Sequence, residues 1–137
     1  MRTSAPVDPP PVARTAVSGA WPAVLALDVF VVLLFAAAGR RTHSLGVVGV
    51  LETAWPFLAG LVVGWAVWRL ARDPWSPVRG LALWPTTVAV GMGLRVLTGQ
   101  GTAPSFVLVT LGVLGVLLLV PRAVAVLVRR PRSRRPA

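Results

Sequence analysis

Three ionisable residues stand inside long apolar stretches of this sequence: Asp28, Glu52 and Arg95. A charge at the centre of a membrane-spanning helix costs about 2.5–3.5 kcal/mol on insertion scales, so it faces a partner or a water-filled cavity. The chemistry open to such groups is ion pairing, proton relay or the holding of a coupling ion. Residues three or four apart share a helical face. On one stretch Glu52, Pro56, Gly60 and Gly64 form a small-and-polar stripe, and on another Thr87, Gly91, Arg95 and Thr98 form a second. Laying the stripes together brings the Glu52 carboxylate to the Arg95 guanidinium, with Arg40, Arg41, His43 and Gln100 around the pair. Such a pair either sets helix register, as buried polar groups sometimes do, or serves a substrate, ion or proton.

Asp28 belongs to a different level. Counted at 1.5 Å per residue it lies about 10 Å from one membrane edge, whereas Glu52 lies about 7 Å from the other. Thr86, Thr87 and the Trp65 indole N–H fall near the level of Asp28. Desolvation disfavours the charged form of a carboxyl group. Asp28 is therefore expected as a neutral, hydrogen-bonded structural residue, with a proton-relay or coupling-ion role as the alternative. Gly60 and Gly64 make a G-x-x-x-G spacing that lets helix backbones approach closely, and with Gly91 they are the candidate helix-packing positions.

The rest of the sequence offers little for catalysis. There is no cysteine and a single histidine, His43, so thiolate chemistry and a histidine-based metal site have no ligand set. No nucleophile triad, phosphate loop or dinucleotide fingerprint is present, and Asp28 and Glu52 sit at different depths. The expectation is no enzyme, no catalytic residue, no metal and no cofactor.

These residues are positioned by the apolar stretches themselves. Of 137 residues 55% are apolar and 13% charged, and the apolar ones run on without alternation. The stretches cover about 21–38, 47–70, 80–97 and 103–120, each long enough as a helix to cross about 30 Å of hydrocarbon. A membrane barrel would need many short alternating segments instead. The expected fold is all-α, an integral membrane bundle of four transmembrane helices in up-down order. Residues 1–20, with Pro6, Pro9, Pro10 and Pro11, read as a disordered arm, 21–121 as the membrane domain, and 122–137 as a basic tail. Past Pro121 a continuation of the fourth helix to Val128 stays open.

The net charge of +10 comes from fourteen arginines, and their placement beside the ends of apolar stretches points to membrane topology rather than nucleic acid. With four spans, eleven fall on the side of both termini and two, Arg40 and Arg41, on the other. The positive-inside rule then makes both termini cytoplasmic, in a multi-pass protein of the plasma membrane. Trp21, Trp65, Trp68, Trp75 and Trp84 come near the cytoplasmic boundary and Trp55 near the outer one, which suits the interfacial preference of indole. Arg129, Arg130, Arg132, Arg134 and Arg135 are placed to lie on anionic lipid headgroups. A cleavable signal peptide ending at Ala36-x-Ala38 is the rival for the first stretch; the long proline-rich lead and Asp28 argue against it. Pro56 and Pro85, each after a tryptophan, read as tolerated prolines rather than as breaks that bind a cation. The Trp-Pro pairs at 21, 55 and 84 hint weakly at duplication.

The segments GRRTHS at 39–44, TAWPFLAGLVVGW at 53–65 and WPTTVAVGMGLRVLTGQGTA at 84–103 resemble those of domain-of-unknown-function family 3054, small bacterial and archaeal membrane proteins. The likeness covers about Asp28 to Val120. It implies a four-helix membrane protein and carries no activity, ligand or functional residue. Two functions from different classes stand: a structural or accessory protein binding partner helices or lipid, alone or as a homo-oligomer, and a small oligomeric transporter or channel using Asp28 and a Glu52–Arg95 pair.

Overall fold

In the computed structural model, residues 19–39 and 46–129 are described. They form four helices, α1 (Trp21–Gly39), α2 (Val47–Val67), α3 (Pro77–Leu97) and α4 (Pro104–Arg129), with a short 3-10 turn at Leu70–Arg72. No strand occurs among the described residues. The helices contain 19, 21, 21 and 26 residues, all apolar enough to cross a membrane. At 1.5 Å per residue they reach about 28–39 Å, which matches or exceeds the hydrocarbon thickness.

Each helix packs on its chain neighbour and α1 closes the ring against α4. Buried faces are narrow. Between 22 and 33% of each span is buried inside the bundle, while Phe30, Leu34, Val62, Leu81, Val96, Leu108 and Val116 point outward. In water such a surface would be an aggregation site; against lipid tails it is the expected exterior. Away from its ends and its prolines a helix partners its backbone groups internally, which is why this chain crosses as helices.

The α2–α3 contact is the closest. A Cβ built on Gly60 would stand 2.6 Å from the Thr87 carbonyl oxygen, and one on Gly64 would meet the Leu83 side chain. A Cβ on Gly91 would collide with the Phe57 ring. Absent side chains therefore let the two backbones approach, and dispersion replaces the hydrophobic drive that lipid cannot supply. Phe57 in turn meets Phe35 edge-on at 5.5 Å, and Phe106 completes an aromatic cluster across α1, α2 and α4. Leu61, Leu83, Leu114 and Leu118 are fully buried in the same core.

Helix boundaries differ from the sequence expectation in three places. The helix α2 ends at Val67, because Arg69 turns left-handed (φ 50°) and Leu70–Arg72 tightens into a 3-10 turn. The helix α3 starts at Pro77, three residues earlier than expected, since Ser76 caps it by accepting the Arg79 N–H at 3.4 Å and Pro77 suits the first turn. The helix α4 passes through Pro121 to Arg129. Residues 122–129, placed in the tail with a continuation of the helix to Val128 left open, are thus part of α4. Pro56 and Pro85 both lie inside their helices rather than in a first turn. The arm, Arg40, Arg41, His43 and residues 130–137 lie outside the described residues.

Candidate functional site at the intramembrane ion pair

One ion pair occurs among the described residues, and it joins the first span to the last. Asp28 on α1 and Arg122 on α4 are 2% and 1% exposed. Arg122 approaches end-on in the fork geometry that suits a carboxylate: Nη1 donates to Oδ1 at 3.0 Å and Nη2 to Oδ2 at 2.7 Å. The Trp65 indole N–H of α2 donates to the same Oδ2 at 3.0 Å. Arg122 also gives Nη1–H to the Leu118 carbonyl one turn back, at 2.8 Å, and Nε–H to the Pro74 carbonyl at 3.2 Å. The constellation ties α1, α2, α4 and the α2–α3 connection into one network. The α3 helix contributes an empty space. A Cβ on Gly80 would run into the Arg122 side chain, so glycine there opens the path along which the guanidinium reaches Asp28.

The connection covers the pair from the end of the bundle that carries Trp21, Arg69, Arg72 and Arg129, called here the basic end. Leu70 is fully buried and Pro74 is buried, so this stretch packs down as a cap rather than standing off. Arg79 braces it by donating to the Arg69 carbonyl at 3.2 Å. Two opposite charges held this closely, with further donors and acceptors on both, offset much of the desolvation that either would suffer alone. Asp28, expected as a hydrogen-bonded residue, has as its main partner an arginine that the expectation did not name. Of the donors expected at its level Trp65 is engaged, while Thr86 donates to the Ala82 carbonyl and Thr87 Oγ1 is buried without a partner.

Glu52 and Arg95 do not pair. The helices are in the register the stripes require, as Gly60 meets Thr87 and Gly91 meets Phe57. Rotation is what separates them. Each step of four residues overshoots a full turn by about 40° at 3.6 residues per turn. Three steps from Gly64 to Glu52 therefore carry Glu52 roughly a third of the way round α2, and it lies exposed on the outer face. Arg95 turns instead to the α3–α4 connection. Its Nη1 donates to Gln100 Oε1 at 2.8 Å and its Nη2 to the Gly101 carbonyl at 2.8 Å, with the guanidinium 4.5 Å over the Phe106 ring. It pins that loop to the bundle. Trp84, expected near the boundary, spends its N–H inside, donating to the Leu111 carbonyl at 2.9 Å across the gap at Gly115.

Arg122 was hidden by being counted with the arginines of the basic tail, although a continuation of the fourth helix past Pro121 stood open. A signal was present: six apolar residues, Ala123 to Val128, separate Arg122 from the arginine cluster beyond. An arginine inside an apolar run invites the same question as an aspartate inside one.

Trp65→Phe should remove one donor from a buried carboxylate and lower unfolding stability in micelles by about 1.5–3 kcal/mol, the usual worth of a hydrogen bond to a charge. Trp68→Phe, whose N–H donates to Thr86 Oγ1 at an exposed position, serves as the comparison and should change little.

Four membrane-length helices closed by an ion pair between the first and the last define a small multi-pass membrane protein. The family model described as "Protein of unknown function (DUF3054)" matches residues 25–125, and the chain belongs to this family. The matched range takes in both Asp28 and Arg122. No curated protein and no solved structure matches the chain.

Proposed function

We propose that this protein is a structural or accessory membrane protein that binds partner helices or lipid, and that the Asp28–Arg122 pair holds its bundle closed. The observation that carries this reading is how fully the pair is engaged within the bundle: three donors serve the carboxylate, the guanidinium makes four bonds, and both side chains are almost wholly buried. A working transport residue needs access to water or substrate, whereas a structural clasp works best sealed. Outward-facing Gly93 and Gly112, where an added Cβ meets nothing, leave shallow places on α3 and α4 for a partner backbone.

The same proposal places both termini in the cytoplasm of a plasma-membrane protein. With Arg122 removed from the topological count, ten arginines still stand on the side of the termini against two on the other. The tail arginines Arg130, Arg132, Arg134 and Arg135, with Arg129, then meet anionic headgroups.

Proton and ion flux into proteoliposomes, with abundance measured in parallel, tests the accessory reading. The expected result is no flux from wild type across a panel of ions, and for Asp28→Asn a drop in abundance or assembly. Wild-type flux that vanishes in Asp28→Asn at normal abundance would instead make this a transporter.

A further inference from the structure

Beside the buried pair, on the outer side of the same cap, a cleft of about 360 Å³ opens between the α2–α3 connection and the last turns of α4. Its lining is chemically mixed. Asp73, Ser76 and Trp75 come from the connection, Arg129 from the end of α4, and Ala125 and Val126 from the helix below them. Asp73 and Arg129 are both exposed and do not pair with each other, since the one ion pair among the described residues is Asp28–Arg122. The Trp75 ring holds the Arg129 guanidinium at 5.4 Å, which keeps the cation over the cleft. Ser76 Oγ accepts the Arg79 N–H, so its own hydrogen remains to be donated.

We propose that this cleft seats one zwitterionic phospholipid of the phosphoethanolamine class, its phosphate on Arg129 and Ser76 and its ammonium on Asp73. Charge complementarity selects the headgroup. An arginine alone would take any anionic lipid, and the carboxylate would repel a headgroup whose only charge is negative; a headgroup carrying phosphate and ammonium satisfies both. Position selects a lipid over a soluble phosphate ester. The cleft lies where a membrane-length helix ends, Trp75 has the amphipathic character of an interfacial residue, and Ala125 and Val126 continue the wall toward the apolar exterior, where an acyl chain runs. The occupant would wedge between the cap and α4, bracing from outside the connection that Arg122 holds from inside. This deepens the lipid-binding part of the function proposed above and rests on it; a failed lipid result would leave the flux result standing, so the two fail separately.

Native mass spectrometry of the full chain, released from micelles containing equal phosphatidylethanolamine and phosphatidylglycerol, reads the site. Wild type should retain one phosphatidylethanolamine in preference to phosphatidylglycerol. Asp73→Asn should erase or invert that preference by about two- to fivefold, the scale of one partly exposed charge contact. Arg129→Gln should weaken retention of both lipids. Glycerophosphoethanolamine, which has the headgroup without chains, should not displace the lipid at equal concentration. Equal retention of both lipids by wild type, or an unchanged preference in Asp73→Asn, would overturn the proposal; displacement by the soluble headgroup would overturn its assignment to a lipid. Both variants alter exposed side chains, and an unchanged elution volume on gel filtration confirms that each remains folded.

Discussion

Arg122→Met should destabilise the bundle by about 3–5 kcal/mol, because it leaves a buried carboxylate with a single donor, Trp65. The Asp28→Leu, Arg122→Met double variant should lose less than the two single losses combined, since neither charge is then stranded. It should still fall short of wild type, because the Trp65 N–H and the Pro74 carbonyl lose their partners. Exchanging the charges should fail. An arginine at 28 would face the Trp65 donor, and an aspartate at 122 would face the Leu118 and Pro74 carbonyls. Reversible unfolding of wild type, Asp28→Leu, Arg122→Met and the double variant in mixed micelles gives the coupling energy. Additive losses would mean that the two residues do not act on each other.

Gly60→Val should be comparably damaging for a different reason. Its Cβ would stand 2.6 Å from a backbone carbonyl, that of Thr87, which cannot rotate away as a side-chain tip would. The only relief is to move α2 from α3 and give up the contacts that glycine makes available. Overpacking of this kind costs typically about 1–3 kcal/mol, and backbone against backbone belongs at the upper end. Gly112→Ala is the control, because nothing lies within 4 Å of its Cβ. It should lose no stability and, by helix propensity, gain about 0.5–1 kcal/mol. The same unfolding assay separates them: equal losses at 60 and 112 would point to a general effect of removing helix glycines rather than to the α2–α3 contact.

Much of the architecture was legible because lipid leaves few options. Runs of 18 or more apolar residues without alternation can satisfy their backbone only as helices, and short connections leave an up-down bundle. The α2–α3 register was legible too, as small residues four apart mark where backbones meet. The helix ends were less so. Whether Pro121 stops a helix or rides inside it depends on what the following residues gain by staying helical, and here Arg122 gains a carboxylate on another helix.

Glu52 and Arg122 mark the limits of the candidate site in opposite ways. Glu52 has the right depth and the wrong azimuth, a difference of accumulated rotation that a four-residue stripe conceals. Arg122 has the right depth and the right azimuth, yet it stands 94 positions from its partner, and no local pattern reports a contact of that range.

The sequence by itself determined that this chain crosses a membrane four times as helices, that Asp28 needs a partner there, and where α2 and α3 can touch. These are consequences of local composition, and lipid enforces them residue by residue. Only the tertiary structure decided that the partner is Arg122, that Gly80 makes room for it, and that Pro74 closes over it. Ion pairing inside a bundle depends on the rotation of each helix about its own axis, and that rotation is settled by all the packed faces together.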